Sequence, residues 1–466
     1  MSKKEGQFYW VPAGIDNSLE GLGVYVTYKK HRPGPIHLKR GDDRYLWIDC
    51  PDRDLIIQRE RHYVNDSLKT RSMKPENYDE FVHLNVNSPA LGTDLQLPYA
   101  MVNAKVVQGV GNSWYKEDRK NRHTQVMVDS GGFQIAKQVT DFVDPHEVIH
   151  AHNHHGDMGM ILDIPFSVAE SKEQMKRIAR IQNKNTDILM SEKRDDLDLI
   201  NIIHGMEAKF YLPFREMVER DDIDRVAFGL PKVSGVRLYG FKKAIELITT
   251  GRKYKHYHVL GVSDIAKCIP IMWLAKRTGA HITADSSSPV QYAVNGKMYL
   301  YNEVRTKVKT IEVSRSRTKP NRLTTLPCSC PLCNVVKYSD IFGYIKSDLP
   351  GRVLLFHNVL EFKKYIWTIF SLVKEADNIQ QLFQELKYIL PVDRVEETKI
   401  GLKMVDVGID FGVKELEKRF VYHLHHSASN DGGPGLFNRR DDWMAKHIQW
   451  RWHVVKKYEK YYGFKK

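Results

Sequence analysis

The chain of 466 residues has little that would take it to a membrane. Its first residues, Met-Ser-Lys-Lys-Glu-Gly-Gln, contain no apolar signal core. The longest apolar stretch, from Tyr365 to Val373, is too short to span a bilayer. We therefore expect a cytoplasmic protein without a membrane partner.

Cysteine is scarce, with five residues in the whole chain. Three of them crowd into Pro327-Cys-Ser-Cys-Pro-Leu-Cys333, and an odd count with such crowding argues against a disulfide framework. His357, in Leu354-Leu-Phe-His-Asn358, follows at a distance that allows a fourth ligand. Three thiolates and one imidazole complete a tetrahedral zinc site with no open position for water, so we expect one structural Zn²⁺. Its ligands would be Cys328, Cys330, Cys333 and His357.

Acidic residues are outnumbered, since Lys plus Arg exceed Asp plus Glu by 71 to 57 and the net charge is +14. This balance favours a polyanionic partner such as nucleic acid. The last stretch interleaves aromatic and cationic residues, which suits base stacking together with phosphate contact. The alternative is an amphipathic terminal helix that docks through its tryptophans, and the two do not exclude each other. The candidate contacts are Lys446, Trp450, Arg451, Trp452, Lys456 and Lys457.

The chain also lacks an internal repeat of fixed period, and Gly21-Leu-Gly23 lacks the third glycine and the helix of a phosphate-binding loop. From residue 126 onward, strand-like apolar runs alternate with amphipathic helical segments, as in repeated βα units. The runs are Val126–Val128, Met158–Leu162, Leu199–Ile203, Val226–Phe228, His258–Leu260 and His281–Ala284.

Each of these runs ends in polar residues or glycine, and barrel enzymes build their sites from the carboxyl ends of the strands. An open sheet would confine the site to a switch point. The pattern therefore predicts an α/β fold, a (β/α)8 TIM-like barrel with a zinc-binding insertion and a basic C-terminal extension. We expect the barrel at residues 1–400, the zinc-binding subdomain within it at about 318–375, and the extension at 401–466.

The most informative stretch is Val126-Met-Val-Asp-Ser-Gly-Gly-Phe-Gln134. It reads as a strand followed by an acid, a hydroxyl, two glycines, an aromatic ring and an amide. Bare backbone beside these groups suits the recognition of a flat polar heterocycle. The alternative is a tight strand-to-helix turn capped by Asp129.

Three carboxylates stand at strand ends, namely Asp129, Asp163 and Asp285. Two acids across a glycosidic bond can break it, one as nucleophile and the other as proton donor and acceptor. A third can accept hydrogen bonds from the ring N–H and the exocyclic amine of a guanine-like edge. Acids at barrel strand ends could equally bind a divalent metal.

Four histidines, His150, His152, His154 and His155, form a competing cluster. They could bind a metal, but they read as the end of a helix on the opposite side of the barrel. A helix C-terminus favours such cationic side chains, and we favour this interpretation.

Six of these stretches, in order, resemble the tRNA-guanine transglycosylases, which exchange guanine for a 7-deazaguanine. The four cysteine and histidine residues of the zinc motif match in order and spacing as well, and the resemblance covers about residues 95–375. The matching stretches are Asp129-Ser-Gly-Gly-Phe-Gln134, Ile161-Leu-Asp163, Ile203-His-Gly205, Phe228-Gly-Leu230, Val259-Leu-Gly-Val262 and the segment at Asp285.

The resemblance implies a role for each matched residue. Asp285 falls where the family has its nucleophile, and Asp129 falls where it has the general acid/base. Asp163 would read the guanine edge, with Phe133 stacked on the base and Leu260 beneath it. The other implied base-binding residues are Ser130, Gly131, Gly132, Gln134, His204, Gly205, Gly229 and Gly261.

Three departures from the family pattern bear on the substrate. Pro289-Val-Gln-Tyr-Ala-Val-Asn-Gly296 lacks the arginines that engage a tRNA anticodon loop, and the closing segment does not resemble the RNA-binding domain of archaeal members. The acid that would hold an aminomethyl group is absent from Gly229-Leu-Pro-Lys-Val-Ser-Gly235. These features resemble the DNA-modifying branch of the superfamily, found in phages and bacterial modification islands.

We therefore expect a pentosyltransferase that replaces guanine in DNA with a free 7-deazaguanine, the 7-cyano form being the first choice. The alternatives are a tRNA-guanine transglycosylase and a non-catalytic nucleic-acid-binding paralogue. Retention of both Asp129 and Asp285 counts against the paralogue. The sequence leaves the oligomeric state open.

Overall fold

A computed structural model describes the central sheet, the helices around it and a helix near the C-terminus. The described residues are 6–12, 23–27, 45–49, 81–83, 99–104, 125–136, 138–165, 171–204, 211–229, 237–262, 265–286, 288–289, 292, 297–302, 307–312, 349–390, 392–420 and 449–464.

Thirteen strands are found in these ranges. They are β1 (Gln7–Pro12), β2 (Gly23–Thr27), β3 (Tyr45–Asp49), β4 (Phe81–His83), β5 (Tyr99–Asn103), β6 (Gln125–Asp129), β7 (Met158–Met160), β8 (Asp198–Ile203), β9 (Arg225–Gly229), β10 (His256–Leu260), β11 (His281–Ser286), β12 (Lys297–Asn302) and β13 (Lys307–Glu312). Strands β2 to β4 form a three-stranded sheet, and β12 pairs with β13 as an antiparallel hairpin.

An eight-stranded parallel sheet forms the centre of the fold, in the order β1-β11-β10-β9-β8-β7-β6-β5. The first and last strands in this order, β1 and β5, lie beside each other in space, with Cα pairs within 8 Å. The sheet therefore curls, and it is compatible with a TIM-like barrel. The predicted α/β class is confirmed.

Helices connect and cover the strands. They are α1 (Gly132–Ala136), α2 (Pro145–His155), α3 (Lys172–Glu192), α4 (Tyr211–Val218), α5 (Arg237–Thr249), α6 (Ile265–Thr278), α7 (Leu349–Glu375), α8 (Ile379–Ile389) and α9 (Val392–Asp410). Helix α3 begins with a reciprocal cap, in which Ser171 accepts from the backbone N–H of Gln174 and the Gln174 side chain accepts from that of Ser171.

All six predicted strand runs are strands, from β6 to β11. They are largely apolar because helices cover the outer face of the sheet and side chains fill its inner face, although Asn201, His258 and Thr283 are buried polar residues within them. Met127, Met160, Ile200 and Phe228, for example, are completely buried. Strand β1, which the sequence did not predict, completes the sheet beside β11.

Helix α9 runs through residue 401, where we expected the C-terminal extension to begin. It packs against α6 and α5, and Asp406 accepts a 2.7 Å hydrogen bond from the indole N–H of Trp273 on α6. The start of the predicted extension is thus continuous with the helical layer of the sheet.

None of the helices within the described ranges combines the length and apolar character that a membrane crossing requires.

Candidate functional site

The three predicted acids meet at the carboxyl edge of the curled sheet. Asp129 ends β6, Asp163 follows β7, and Asp285 lies near the end of β11. The charges of Asp163 and Asp285 both raise the pKa of Asp129, so the three carboxylates share one electrostatic environment. The structure therefore brings together side chains that are far apart in the sequence, as strand ends of a parallel sheet should.

Asp129 is the acid with the most perturbed proton affinity. Burial raises its pKa to about 7, with further contributions from the negative charge of Asp163 and, less strongly, of Asp285. Asn103, its register partner on β5, opposes the shift by donating a 2.9 Å hydrogen bond from Nδ2 to Oδ2 of Asp129. A pKa near 7 allows one carboxyl group both to give and to accept a proton at neutral pH.

Asp163 is held from two sides and is almost fully buried. Ser130 donates a 3.3 Å hydrogen bond from Oγ to its Oδ1, and Nε2 of His204 contacts its Oδ2. A Cβ atom on Gly132 would lie 2.3 Å from Oδ1 of Asp163, so any other residue there would displace the carboxylate. Three of the predicted site residues therefore fix the position of Asp163.

Asp285 is held through a single oxygen. The backbone N–H of Gly261 donates a 2.5 Å hydrogen bond to Oδ1, and Nε2 of His258 lies 3.4 Å from the same oxygen. Both contacts fall on Oδ1, which orients the carboxylate and leaves Oδ2 as the oxygen that these two groups do not engage.

Glycine is required at two turns beside the acids. Gly131 (φ 94°) and Gly261 (φ 67°) adopt left-handed backbone conformations that other residues rarely adopt. At Gly229, by contrast, an added Cβ would meet no described residue within 4 Å, so the described part of the chain leaves space beside the end of β9. This space, at the same edge of the sheet, is consistent with room for a planar ligand.

Of the remaining predicted base-binding residues, the structure describes some fully and others only in part or not at all. Leu260 ends β10 and packs, partly exposed, against the core. Oε1 of Gln134 is buried and has no hydrogen-bond partner among the described residues, so it is a candidate for ligand contact. The side chain of Phe133 and the whole of Gly205 lie outside the described residues.

Two functional candidates escaped the sequence analysis, Asn103 against Asp129 and His258 against Asp285. Asn103 is the last residue of β5, so a polar residue after the apolar run Tyr99–Val102 was a usable signal. His258 was read only as part of an apolar run. Its side chain is completely buried, and nothing in the local pattern indicates that it faces a carboxylate.

Of the four predicted zinc ligands, the structure describes one, His357. The three cysteines lie outside the described residues, whereas His357 is buried in α7 and its Nε2 contacts the carbonyl oxygen of Tyr299 at 2.5 Å. A ring nitrogen that donates to a backbone carbonyl orients the other nitrogen, as is usual for metal-binding histidines. The donor set of thiols and imidazole thus fits Zn²⁺.

Asn358 ties the same helix to the site-bearing strand. Its Oδ1 accepts a 2.7 Å hydrogen bond from the N–H of Tyr299, and its Nδ2 donates a 3.2 Å bond to the carbonyl of Pro289. Pro289 follows β11 shortly after Asp285, so hydrogen bonds from Asn358 link the predicted zinc-binding region to the segment that follows the nucleophile candidate.

The four clustered histidines occupy the last turn and a half of α2, as the helix-end interpretation predicted. His152 is completely buried, and burial lowers its pKa to about 3. Its ring lies against Gly159 of β7, where a Cβ would approach Nδ1 to 2.3 Å. His152 therefore packs as a neutral core side chain.

Residues 449–461 form a helix that packs against the segments flanking the site, here called the terminal helix. Trp450 donates from Nε1 to the carbonyl of Ile135 in α1 at 2.9 Å. Tyr458, completely buried, donates from its hydroxyl to the carbonyl of Val143 at 2.8 Å and accepts from the same residue's N–H.

A second set of contacts ties the terminal helix to the Asp163 segment. Tyr462 bonds Oδ1 of Asn185, whose Nδ2 donates to the carbonyl of Leu162 at 2.9 Å, directly before Asp163. The ring of Trp452 lies under the guanidinium of Arg177, 4.2 Å from its centroid. Trp450 and Trp452 therefore pack against the rest of the fold, as expected for an amphipathic terminal helix that docks through its tryptophans.

The cations of the terminal helix differ in what they contact. Lys456 is exposed, whereas Lys457 pairs with Asp141 at 2.5 Å. Arg451 is partly buried, and Lys446 lies outside the described residues. Nucleic-acid contact by this set stays a prediction.

The raised pKa of Asp129 has a consequence for stability. Because the folded state binds this proton more tightly than the unfolded chain, the contribution of Asp129 to stability falls as the pH rises from about 4 to about 7. Asp129→Asn removes this partly buried charge, so we expect it to raise the free energy of unfolding at pH 8 by about 1–3 kcal/mol, less than the full pKa shift implies because solvent still reaches the side chain, and by almost nothing near pH 4.

Thermal melts of both proteins across this pH range would measure the difference. Asp195→Asn, at an exposed aspartate, is the control and should show no such trend. A melting temperature for Asp129→Asn that never exceeds that of the wild type at high pH would contradict the burial of an ionised Asp129.

No protein-family model and no curated protein matches the chain. The inference about function therefore rests on the sequence motifs and on the geometry of the three carboxylates.

Proposed function

We propose that the chain is a DNA-guanine transglycosylase, which exchanges guanine in DNA for a free 7-deazaguanine through a covalent aspartyl-glycosyl intermediate. The observation that carries the proposal is the meeting of Asp129, Asp163 and Asp285 at the carboxyl edge of the sheet, where burial and the other two charges raise the pKa of Asp129 to about 7. When one base leaves and another enters, the same group must first donate and then accept a proton, and this pKa suits both tasks.

The guanine would be bound after leaving the DNA stack, since its glycosidic bond is otherwise out of reach. Asp163 would accept from its ring N–H and exocyclic amine. The carboxylate has about four lone-pair sites, so it retains capacity beside Ser130 and His204. Phe133 and Leu260 would sandwich the ring, with the space at Gly229 beside it.

The proposed chemistry is a double displacement. Oδ2 of Asp285 attacks C1′, the bond from C1′ to N9 breaks, and the departing guanine takes the proton of Asp129. The incoming base then gives its N9 proton to Asp129, and its N9 attacks C1′. The ester bond to Asp285 breaks, the carboxylate is restored, and two inversions retain the configuration.

The proposal includes the finer architecture, a closed (β/α)8 barrel with a zinc-binding insertion and a basic C-terminal extension. The proximity of β1 and β5 supports closure. Cys328, Cys330, Cys333 and His357 would hold one Zn²⁺, which would stabilise the fold and take no part in the chemistry.

Replacing Cys330 with serine is expected to lower the soluble yield and the zinc content together, because a structural zinc contributes its binding energy to folding. Elemental analysis of purified protein would measure the metal. Cys268→Ala is the matched control, since Cys268 is buried in α6 and outside the proposed ligand set, so it should retain one zinc per chain. Well-folded wild-type protein without zinc would refute the site.

DNA is favoured over tRNA by the missing arginines between Asp285 and Gly296, while the net charge of +14 still indicates a polyanionic partner. DNA recognition needs no contact with a 2′-hydroxyl or a folded loop. Binding should weaken strongly with added salt, because phosphate contacts release counterions.

The direct experiment incubates the protein with labelled guanine or 7-cyano-7-deazaguanine and either duplex DNA or tRNA, and counts label in each polymer. Label in DNA alone is expected. Label in tRNA alone would replace the DNA proposal with the tRNA alternative, and label in neither would favour the non-catalytic paralogue.

A further inference from the structure

Beneath Asp285, the inner face of β10 and β11 carries a column of polar side chains that the proposed reaction does not yet use. His256 and His258 on β10 both contact Oγ1 of Thr283 on β11, through Nε2 at 2.8 Å and Nδ1 at 2.7 Å respectively. All three side chains are completely buried. The ring of His281 lies next to that of His256, with centroids 4.8 Å apart.

The hydrogens in this column can be ordered by counting. A threonine hydroxyl has one proton to donate, and each neutral imidazole has one N–H. Burial lowers the pKa of His256 well below its ordinary value, so that ring is neutral. If His258 carried its proton on Nδ1, the lone pair of Nε2 would face a lone pair of Oδ1 of Asp285 at 3.4 Å, which is repulsive.

The opposite tautomer gives each of the three contacts in the column one donor and one acceptor. His258 then points its Nε2–H at Oδ1 of Asp285 and accepts at Nδ1 from the Thr283 hydroxyl, while His256 donates from Nε2 to that hydroxyl. Hydrogen bonds aligned in one direction polarise one another, so the column would present a strengthened donor to the carboxylate. Nε2 of His258 has no hydrogen bond among the described residues, which leaves it available to Asp285.

We propose that His258 is a positioning residue for the nucleophile. Ordered by Thr283, it donates from Nε2 to Oδ1 of Asp285 and, with the N–H of Gly261, holds that oxygen so that Oδ2 faces the sugar carbon. The present 3.4 Å separation is longer than a good hydrogen bond, and such contacts often tighten when substrate binds. The part played by Oδ2 rests on the proposed transglycosylase activity, whereas the tautomer does not.

The first test needs no activity. Protein labelled with ¹⁵N-histidine, with the His258 signals identified by their loss in His258→Gln, reports which ring nitrogen carries the proton. A neutral ring protonated on Nε2 is expected. A ring protonated on Nδ1, or on both nitrogens, overturns the ordered column.

The second test measures how fast the covalent adduct forms in a single turnover with substrate DNA. His258→Leu and Thr283→Val, the latter nearly isosteric, should slow this step about 10- to 100-fold while leaving the KM for the free base nearly unchanged. His258→Gln, whose amide can still donate, should recover most of the rate. Adduct formation at the wild-type rate in a folded Thr283→Val or His258→Leu protein would overturn the positioning role.

The two tests separate the two proposals. If the Nε2 tautomer is found and the wild-type protein forms no adduct with any nucleic acid, the transglycosylase proposal fails and the ordered column stands. If adducts form but the His258 ring does not carry its proton on Nε2 alone, the ordered column fails and the transglycosylase proposal stands.

Discussion

Asp285→Asn is expected to abolish both the covalent adduct and base exchange, by at least about 10³-fold. An amide oxygen is a poor nucleophile toward a sugar carbon, so the asparagine side chain cannot form the required glycosyl ester. The amide can still accept the N–H of Gly261, so the turn at that glycine should survive. Denaturing gels would show a slow-migrating band with wild-type enzyme and DNA, and no band with the variant.

The matched control is Asp221→Asn, which makes the same chemical change at a fully exposed side chain. It should leave the band and the exchange rate unaltered. A band that persists in folded Asp285→Asn protein would show that another residue attacks the sugar, with Asp129 or Asp163 as the next candidates.

Loss of the terminal helix is expected to disrupt the candidate site around Gly132 and Asp163 and to abolish nucleic-acid binding. This helix touches Ile135 just beyond Gly131 and Gly132, and it reaches Leu162 just before Asp163 through Asn185. Truncation after residue 448 removes these contacts together. We expect a protein that melts at a much lower temperature and has no measurable exchange.

A single substitution tests the same point without truncation. Tyr458→Ala removes a completely buried ring and both hydrogen bonds to Val143, at a cost of about 3–5 kcal/mol in unfolding free energy. Lys456→Ala, two residues earlier and exposed, is the control and should change stability by less than about 0.5 kcal/mol. Normal melting of the truncated protein would show that the helix is an independent appendage.

Strands β6 to β11 could be predicted because each carries a local signal. A buried parallel strand is largely apolar, and each of these strands contains a short, mostly apolar run. Strand β1 has such a run as well, Phe8–Val11 between Gln7 and Pro12, so its strand character had a local signal that the prediction missed. It joins the sheet only through pairing with β11, for example Gln7 with His281, which no local pattern reveals.

The acids of the site were predictable for the same reason, since a carboxylate after a strand run is visible in the sequence. Their supports were less visible. The effect of Asn103 on Asp129 comes from the register of β5 against β6, and that of His258 on Asp285 comes from the register of β10 against β11. Composition also could not decide whether the tryptophans of the terminal helix face solvent or the sheet, because both uses require aromatic residues among cations.

The pairing of β1 with β11 bears on how the protein folds. During synthesis, β5 to β11 can pair in the order in which they emerge, each with the neighbour just made, whereas β1 emerges first and must wait for its partner. Closing so long a loop is entropically unfavourable and slow, and until it closes β5 and β11 present unpaired edges. Since Asp285 lies on β11, opposite Val11 of β1, the proposed nucleophile takes its final position only in this last step. Nascent or refolding chains would therefore be inactive and aggregation-prone until the first strand arrives, and a refolding lag in activity would mark that event.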